Sequence, residues 1–444
     1  MARIGIDFGS SYTTIGWVNP LNGNPEPVKF NGDGSVKFPS VILAMDSGLV
    51  FGFQAINYLE EVYKLPNDEK LTLLSNFLPS IKRVMKANGA EYLGGKMYSH
   101  EDLLVSLFSN IFGKVRDHCG SHNVIDSVVI SHPIEFENSK IELLKRAINR
   151  NNLSVAETIY EPVAAVKGYS INHKIEENEG ILVFDFGGGT IDVAFIQKRH
   201  GTLEVVAEPR GNSKCGGQDI DYLLYENLRK QILNEKEFLG FDISSGGKLD
   251  YSLLNACRRL KEYFSGPNDS YDTNILLVVN GKFKNYKYRL SREGFNNLIY
   301  PKVNDAICVA KQVVSDVNER GASIDKVLLI GGSSQLTLVR QLLNELLPDV
   351  DIDTCGEKDI TVALGNVTYM QEDREDVAPI DKNDNIFDDE HESLFTEPLN
   401  VEKSMQCKSC GSYECYKLVN RVGYHCLNCG WEGKNITITI NNTY

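Results

Sequence analysis

Two short segments of the chain each combine an aspartate with a glycine-rich turn. Asp7 is followed by Phe-Gly-Ser-Ser-Tyr and Asp185 by Phe-Gly-Gly-Gly-Thr, and β-rich stretches flank both turns. Glycine lets the backbone turn tightly, so that successive N–H groups can converge on an anion such as a phosphate. The two aspartates could hold a hydrated Mg²⁺, which favours few carboxylates together with water and phosphate oxygens. Taken alone, each segment could equally be an ordinary β-hairpin.

Hydroxyl groups beside these turns, on Ser10, Ser11 and Thr190, add hydrogen-bond donors for phosphate. A third glycine turn, Gly331–Ser334, lies between a predicted strand and a predicted helix. It frees the backbone for close approach to a ligand, and either of its serines could cap the helix. Neither a P-loop nor a dinucleotide-binding glycine pattern occurs in the sequence.

The C-terminal segment carries a second chemistry, in two Cys-x-x-Cys pairs separated by fifteen residues: Cys407, Cys410, Cys426 and Cys429. This spacing predicts a zinc ribbon, because two such knuckles can place four thiolates tetrahedrally around Zn²⁺. A redox dithiol or disulfides are the alternatives. The balance of charge in the segment is only mildly positive. We therefore expect it to dock a protein partner, with nucleic acid as the less favoured ligand.

Bulk composition is that of a soluble globular protein, with 42% hydrophobic and 24% charged residues over 444 positions. The net charge is −14, and Gln371–Gln406 alone contributes −9, with twelve acidic against three basic residues. An overall basic surface for nucleic acid is absent. No apolar run approaches a membrane helix, and no signal peptide pattern opens the chain, so a cytoplasmic location without membrane contact is expected.

The glycine turns need a scaffold that places them at strand ends. Strand-like and helical patterns alternate from Met1 to about Met370, as in α/β proteins. The predicted strands include Arg3–Asp7, Thr14–Val18, Ser127–Ser131, Ile181–Asp185, Asp192–Gln197 and Lys326–Ile330, and the predicted helices include His100–His118, Glu137–Asn149, Asp219–Leu233 and Gln335–Leu347.

The order of motifs repeats within this stretch. After each Asp-Phe-Gly segment comes an apolar strand that ends in a turn, at Val128–Pro133 and Val327–Gly332, and then an acid that opens a helix-like stretch, at Glu161 and Asp359. Three correspondences in one order predict two homologous lobes with a site between them. We expect lobe I at 1–170, lobe II at 171–370, an acidic flexible linker at 371–404 and the zinc ribbon at 405–444.

Four of these segments closely resemble motifs of the Hsp70 nucleotide-binding domain, a member of the actin/Hsp70 ATPase superfamily. They are Asp7–Ser11, Tyr160–Ala165, Asp185–Asp192 and Leu329–Ser334. The resemblance spans about residues 1 to 370. It implies a two-lobed, actin-like (ribonuclease H-like) α/β fold with an interlobe cleft that binds ATP or ADP with Mg²⁺.

The resemblance also implies residue roles. Lys82 matches a lysine beside the γ-phosphate that positions the attacking water, and Glu161 matches a contact to the Mg²⁺-water shell. Pro133 looks like the interlobe switch proline. The implied catalytic residues are Asp7, Lys82, Glu161, Asp185 and Thr190. The implied nucleotide-binding residues are Gly9, Ser10, Ser11, Tyr12, Gly187, Gly188, Gly189, Thr190, Asp192, Gly216, Gly217, Lys261, Ser265, Gly331, Gly332, Ser333 and Asp359.

Three positions depart from the family pattern. Arg258 stands where a nucleotide-contacting glutamate is usual, Gln335 replaces an arginine that stacks on adenine, and Ile141 replaces an arginine of the switch relay. No counterpart of the family's β-sandwich substrate domain or helical lid follows residue 370. We therefore expect an Hsp70-like ATPase switch read by partner proteins. An actin-like filament, a kinase of the same superfold and a sensor that barely hydrolyses ATP are the alternatives.

Overall fold

The computed structural model describes residues 2–61, 73–120, 125–239, 251–279, 282–354 and 360–369, and the backbone of five short strands between 403 and 440. The chain divides into two compact units, Met1–Ile380 and Asp381–Tyr444. Most of the predicted acidic linker, together with Asp359, Cys407, Cys410 and Cys429, lies outside the described residues.

The strands of the N-terminal half of the first unit are β1 (Ala2–Phe8), β2 (Tyr12–Val18), β3 (Pro25–Pro27), β4 (Phe38–Pro39), β5 (Ile42–Met45), β6 (Gly48–Phe51), β7 (Phe77–Leu78), β8 (Ala90–Leu93), β9 (Lys96–Ser99), β10 (Ile125–His132) and β11 (Ser154–Tyr160). Six of them form the main sheet of this half, in the order β11-β10-β1-β2-β3 with β4 beside β2. The helices of this half are α1 (Gly52–Glu60), α2 (Ile81–Val84), α3 (His100–Cys119), α4 (Asn138–Asn149) and α5 (Glu161–Ser170).

The strands of the C-terminal half are β12 (Gly180–Phe186), β13 (Ile191–Arg199), β14 (Thr202–Val205), β15 (Arg210–Asn212), β16 (Ser270–Val279), β17 (Lys282–Ser291), β18 (Lys326–Ile330) and β19 (Asp351–Thr354). Six of them form a second six-stranded sheet, in the order β14-β13-β12-β18-β19 with β15 beside β13. The helices of this half are α6 (Gly217–Asn234), α7 (Tyr251–Tyr263), α8 (Arg292–Glu319), α9 (Thr337–Leu346) and α10 (Thr361–Thr368), with 3₁₀ turns at Lys236–Phe238 and Gly332–Gln335.

The two sheets share one plan, as a duplication would produce. In each, an antiparallel hairpin (β1–β2 or β12–β13) is followed by two parallel strands (β10–β11 or β18–β19). A helix crosses between the parallel strands, α4 in the first half and α9 in the second. A short helix follows the last strand of each set, α5 and α10. Strand β12 is buried along its whole length, as expected of a strand covered on both faces.

The strands and helices named above are confirmed within two residues at each end, and the start of the helix predicted at Gln335–Leu347 differs only in its local structure. A 3₁₀ turn occupies Gly332–Gln335, and α9 begins only at Thr337 with Leu336 at its N-cap position. Neither serine therefore caps this helix. The Ser334 hydroxyl donates to Gly331 O instead, at 2.7 Å, because Gly331 takes a positive φ of 79° that turns the chain back on itself.

Helices α5 and α10 cross at very short range and pack against both sheets. A Cβ atom on Gly168 of α5 would lie 1.9 Å from Thr361 O, and one on Gly365 of α10 would lie 1.8 Å from Ala164 O. The buried cluster around this crossing contains residues of both sheets, such as Val129 and Val183. The two halves therefore share a continuous core at the crossing.

In the second unit, β20 (Lys403–Gln406) pairs with β24 (Thr437–Ile440), and β22 (Tyr424–Cys426) pairs with both β21 (Cys415–Lys417) and β23 (Glu432–Gly433). All of these pairings are antiparallel. Among the described residues, no helix combines the length and the apolar character needed to cross a membrane.

Candidate active site

A cleft of about 460 Å³ opens between the two Asp-Phe-Gly hairpins. The hairpins touch: a Cβ atom on Gly188 would lie 2.6 Å from Ser11 Oγ, and one on Gly189 would lie 2.1 Å from Ser10 Oγ. A side chain at either glycine would force the facing serine hydroxyl to move. The predicted site residues that line the cleft are Asp7, Gly9, Ser10, Ser11, Tyr12, Lys82, Glu161, Asp185, Gly187, Gly188, Gly189, Thr190, Lys261, Ser265, Gly331, Gly332 and Ser333.

Asp7 and Asp185 occupy the penultimate positions of β1 and β12, so the repeated fold brings both carboxylates to the base of the cleft. Asp7 accepts a long hydrogen bond of 3.5 Å from the hydroxyl of Thr14. Burial raises the pKa of Asp185 well above its usual value, and the neighbouring carboxylates of Glu161, Asp192 and Asp7 raise it further, whereas Lys82 opposes them. Crowded carboxylates of this kind suit a bound cation.

Lys82 and Glu161 form a buried ion pair, with 2.7 Å between Nζ and Oε1. Lys82 lies on the short helix α2, and Glu161 is the first residue of α5, so two separate elements bring them together. Burial acts to lower the pKa of Lys82, but the carboxylates of Glu161, Asp7 and Asp192 outweigh it and hold the pKa above its usual value. Lys82 therefore stays charged within the cleft.

Asp192 faces Asp185 across the β12–β13 hairpin but does not line the cleft. Its Oδ1 accepts a 2.8 Å hydrogen bond from the N–H of Ile134, whereas its buried Oδ2 has no hydrogen-bond partner among the described residues. Burial and the charge of Glu161 raise the pKa of Asp192 to about 7. Asp192 therefore adds negative charge next to Asp185 without lining the cleft itself.

A metal ion that is held entirely by protein side chains requires several ligating groups close together. No group of three or more His, Cys, Asp or Glu side chains within the described part of the chain is arranged to hold a metal ion. Mg²⁺ bound mostly through water needs no such group. The donor set of Asp7 and Asp185 therefore fits hydrated Mg²⁺.

Gly216 and Gly217 lie behind the second hairpin rather than on the wall of the cleft. The N–H of Gly217 donates to Gly187 O at 2.9 Å, and the N–H of Gln218 donates to Gly188 O at 2.8 Å. Asp219 accepts a 2.8 Å hydrogen bond from the N–H of Gly216 and so stabilises the first turn of α6. This loop thus supports the hairpin that faces the ligand.

The lining of the cleft also includes Lys261, Ser265 and the two departures, Arg258 and Gln335. Lys261 donates to Gly217 O at 2.8 Å and lies 2.8 Å from Oδ1 of Asp221. Lys261 thereby links α7 to the start of α6. Asp221, a buried residue that sequence reasoning did not single out, also lies 3.8 Å from Arg258 Nε.

Contacts across the cleft also involve residues that sequence reasoning missed. Arg83, next to Lys82, forms a 2.9 Å ion pair with Asp219 of α6. Gln218 donates from Nε2 to Ser11 Oγ at 3.4 Å. Lys37, Thr14 and Glu262 line the cleft without belonging to any motif. For Arg83, its position next to Lys82 was the feature of the sequence that could have indicated a role in the cleft.

Of the two positions assigned to the switch relay, Ile141 packs, partly buried, against the apolar core of the N-terminal half. Pro133 directly precedes Ile134, whose N–H binds Asp192 of the other half. A connection from this proline to the carboxylate cluster therefore exists through the backbone.

Together, the mixed α/β architecture and the glycine-lined cleft define an actin/Hsp70-like ATPase fold. A family model described as Hsp70 protein matches residues 80–371, which is more than half of the chain. The chain therefore belongs to the Hsp70 family and has an Hsp70-like nucleotide-binding domain. Membership implies binding of ATP or ADP with Mg²⁺ and, at the level of the family, a capacity for ATP hydrolysis. The first hairpin precedes the matched span, and its assignment depends on its equivalence to the second.

Proposed function

We propose that this protein hydrolyses ATP slowly with Mg²⁺ and acts as a conformational switch whose state is read by partner proteins. The observation that carries the proposal is the buried Lys82–Glu161 pair beside two glycine hairpins that meet across the cleft. In this proposal residues 1–170 and 171–370 are the two lobes, and the terminal phosphates lie between the hairpins. The buried thiols Cys215 and Cys257 form no disulfide, as expected in a reducing, cytoplasmic compartment.

In this proposal, each group of site residues has a separate chemical role. Backbone N–H groups of both hairpins, with the hydroxyls of Ser10, Ser11 and Thr190, bind phosphate oxygens. Lys82, held by Glu161, orients the attacking water and stabilises charge that develops on the γ-phosphate. Mg²⁺, held through water by Asp7 and Asp185, would neutralise the phosphates and align them.

Closure of the cleft is the step that a partner would sense. Arg83–Asp219 and Gln218–Ser11 join the two halves next to the phosphate hairpins. When the γ-phosphate is lost, the two hairpins no longer bind a shared ligand group, and the cleft opens. A nucleotide sensor that barely hydrolyses ATP is the second candidate, which Arg258 and Gln335 at the adenine end favour.

We also propose that residues 405–444 form a zinc ribbon that docks a protein partner. Cys407 follows the last residue of β20, and Cys426 is the last residue of β22, so each Cys-x-x-Cys knuckle begins where a strand ends. Zn²⁺ on four thiolates would supply folding free energy that so small a unit lacks.

Single-turnover hydrolysis of [γ-³²P]ATP by the purified protein tests the ATPase, with the Asp185→Asn variant beside it. We expect Mg²⁺-dependent phosphate release that the variant loses. Tight nucleotide binding without release would instead establish the sensor. If the protein neither bound nor hydrolysed ATP, the proposal would be wrong even though the fold stands.

A further inference from the structure

The short helix that carries Lys82 ends at a hydrogen bond to a histidine that lies outside every motif. Helix α2 is only four residues long. The N–H of Met85 closes its turn, but the next N–H, that of Lys86, donates to Nδ1 of His100 at 2.8 Å. A single helical turn is not stable by itself, so its geometry depends on contacts to the rest of the fold.

The turn that follows α2 is attached to the start of α3 around the same imidazole ring. The N–H of Gly89 donates to Lys86 O at 3.0 Å, and the N–H of His100 donates to Gly89 O at 2.9 Å. A Cβ atom on Gly89 would lie 2.1 Å from His100 Nδ1, so the ring packs directly against this glycine. His100 is 3% exposed and begins α3, a helix whose apolar face lies in the core. The ring therefore joins the turn after Lys82 to a helix of the core.

The contacts of the ring determine which of its nitrogens carries the proton. Because a backbone N–H can only donate, Nδ1 of His100 is the unprotonated acceptor of the Lys86 N–H. Nε2 then carries the hydrogen and donates to Oε1 of Glu91 on β8 at 3.3 Å. The neutral ring satisfies both contacts. Protonation would place a second N–H against that of Lys86 and break this hydrogen bond.

Glu91 is the charged side chain that contacts the ring. Lys96 on β9 and the side chain of Lys86 are exposed. The charged residues of α2 and of the first turn of α3 form ion pairs of their own, which are Lys82–Glu161, Arg83–Asp219, Glu101–Arg146, Glu101–Arg150 and Asp102–Arg150. The protonation of His100 is thus a balance between Glu91, which favours the imidazolium, and the Lys86 N–H, which requires the neutral ring.

The ammonium of Lys82 is sensitive to the position of α2. Its Nζ lies 2.7 Å from Glu161 Oε1, and the residue is 7% exposed. A shift of about 1 Å in a catalytic group can cost on the order of 10²-fold in rate, so displacement of the short helix would affect turnover.

We propose that neutral His100 is a positioning residue for Lys82. The ring holds the turn after α2 and thereby keeps the Lys82 ammonium in place for attack on the γ-phosphate. Protonation of the ring releases the turn and slows ATP hydrolysis. The inference rests on the proposed function and adds to it an acid-sensitive control of the same site.

Single-turnover ATP hydrolysis and ATP affinity of wild type, His100→Leu and His100→Asn test the assignment. Leucine removes the acceptor, whereas Oδ1 of asparagine can replace Nδ1 and does not titrate. At about pH 8, His100→Leu should hydrolyse ATP about tenfold more slowly while its ATP affinity stays within about threefold of wild type. His100→Asn should keep its turnover within about threefold of wild type. An ATP-dependent rise in melting temperature shows that each variant is folded.

The response to acid is the measurement that a purely structural role would not change. Between about pH 8 and about pH 5.5, wild type should lose about fivefold more turnover than His100→Asn, because only the imidazole takes up a proton. His200→Asn, at an exposed histidine in the turn between β13 and β14, is the matched control and should follow the wild-type pH curve.

Three results would overturn the assignment. Wild-type turnover in His100→Leu would mean that the ring does not position Lys82. Equal losses of turnover and ATP affinity in that variant would mean that His100 supports the cleft structurally. Equal acid responses of wild type and His100→Asn would mean that protonation does not release the turn, and this comparison decides alone if His100→Leu does not fold.

The same measurements separate this inference from the proposed function. If wild type itself hydrolysed no ATP, the proposed function would fail together with this inference. Hydrolysis by wild type with unaffected variants removes His100 alone.

Discussion

Asp7, Glu161 and Asp185 line the cleft close to Lys82, with Asp192 beside Asp185, and these charges shift the pKa values of Asp185, Asp192 and Lys82. Burial and mutual repulsion raise the pKa values of Asp185 and Asp192, while the same carboxylates stabilise the charged form of Lys82. Without a bound metal cation, the repulsion between these carboxylates is unfavourable. Binding of Mg²⁺ with nucleotide relieves that repulsion, so ligand binding and cleft stability are linked.

Lys82→Ala tests the catalytic assignment at this scale. The variant should bind ATP within about fivefold of wild type but hydrolyse it about 10²–10³ times more slowly, because it loses a cation that stabilises developing charge. Single-turnover phosphate release measures the rate. An ATP-dependent rise in melting temperature shows that the variant is folded and binds nucleotide.

Lys86→Ala, at an exposed lysine four residues away, is the control and should behave as wild type. Unchanged turnover in Lys82→Ala would remove Lys82 from the mechanism.

The pKa of Asp192 makes a prediction about pH. Its value of about 7, against an ordinary 3.8, means that the folded chain keeps a proton that the unfolded chain has released between about pH 4 and 7. The unfolding free energy therefore falls as pH rises through this window. From pH 5 to pH 8, nucleotide-free wild type should lose on the order of 2 kcal/mol more than Asp192→Asn in urea unfolding.

Asp46→Asn, at an exposed loop position, should follow the wild-type pH curve. Parallel curves for wild type and Asp192→Asn would mean that Asp192 does not retain its proton.

At the scale of elements, the crossing of α5 and α10 determines how the two halves meet. Gly168 and Gly365 each lie against the backbone of the opposite helix, and Gly5 and Gly16 of the first sheet lie against Ala363 O. Because four glycines remove the Cβ atoms from this junction, helix and sheet backbones approach more closely than side chains allow. The junction connects the strand ends that carry Asp7 and Asp185.

Gly168→Ala should destabilise the first unit by about 3 kcal/mol, because its methyl group would overlap Thr361 O and force the helices apart. Chemical denaturation followed by circular dichroism measures the change. Gly113→Ala is the matched control, since Gly113 also lies inside a helix but has nothing within 4 Å of an added Cβ. The control should be more stable than wild type by about 0.5–1 kcal/mol. Equal stability of both variants would contradict the close crossing.

At the scale of the whole molecule, the chain combines a nucleotide-binding unit with a small second unit that we propose binds zinc. The first has two extensive cores of its own, one in each half, joined around the α5–α10 crossing. The described part of the second unit consists of short antiparallel strands, and in our proposal bound Zn²⁺ stabilises them.

Purified protein should therefore contain one zinc ion per chain by elemental analysis, and Cys407→Ser should lose most of it. ATP affinity should stay within about twofold of wild type, because the nucleotide site lies in the first unit. Cys308→Ser, at an exposed free cysteine, should retain its zinc. Zinc content that both variants keep, or that both lose, would rule out the Cys-x-x-Cys site.

Much of the nucleotide site could be predicted from the sequence because its elements are local. Each Asp-Phe-Gly hairpin is a strand, a glycine turn and a strand in one short segment, Ala2–Val18 or Gly180–Arg199, and apolar runs identify the buried strands around it. The repeated order of motifs further predicted two equivalent sheets. The same local reasoning did not predict the 3₁₀ turn at Gly332–Gln335, or that neither of its serines caps the helix that follows, because the path of the chain after Gly331 depends on the packing around it.

Tertiary structure alone decided which distant side chains meet. Lys82 and Glu161 are separated by 79 residues and Arg83 and Asp219 by 136, and no local pattern encodes either distance. The contact between His100 and the turn after α2 likewise depends on the start of α3 lying beside that turn. Local sequence determined the turns and strands of the site, because backbone preferences act over a few residues. Packing of two sheets against crossed helices decided the charges that surround them, because only the folded chain brings those residues together.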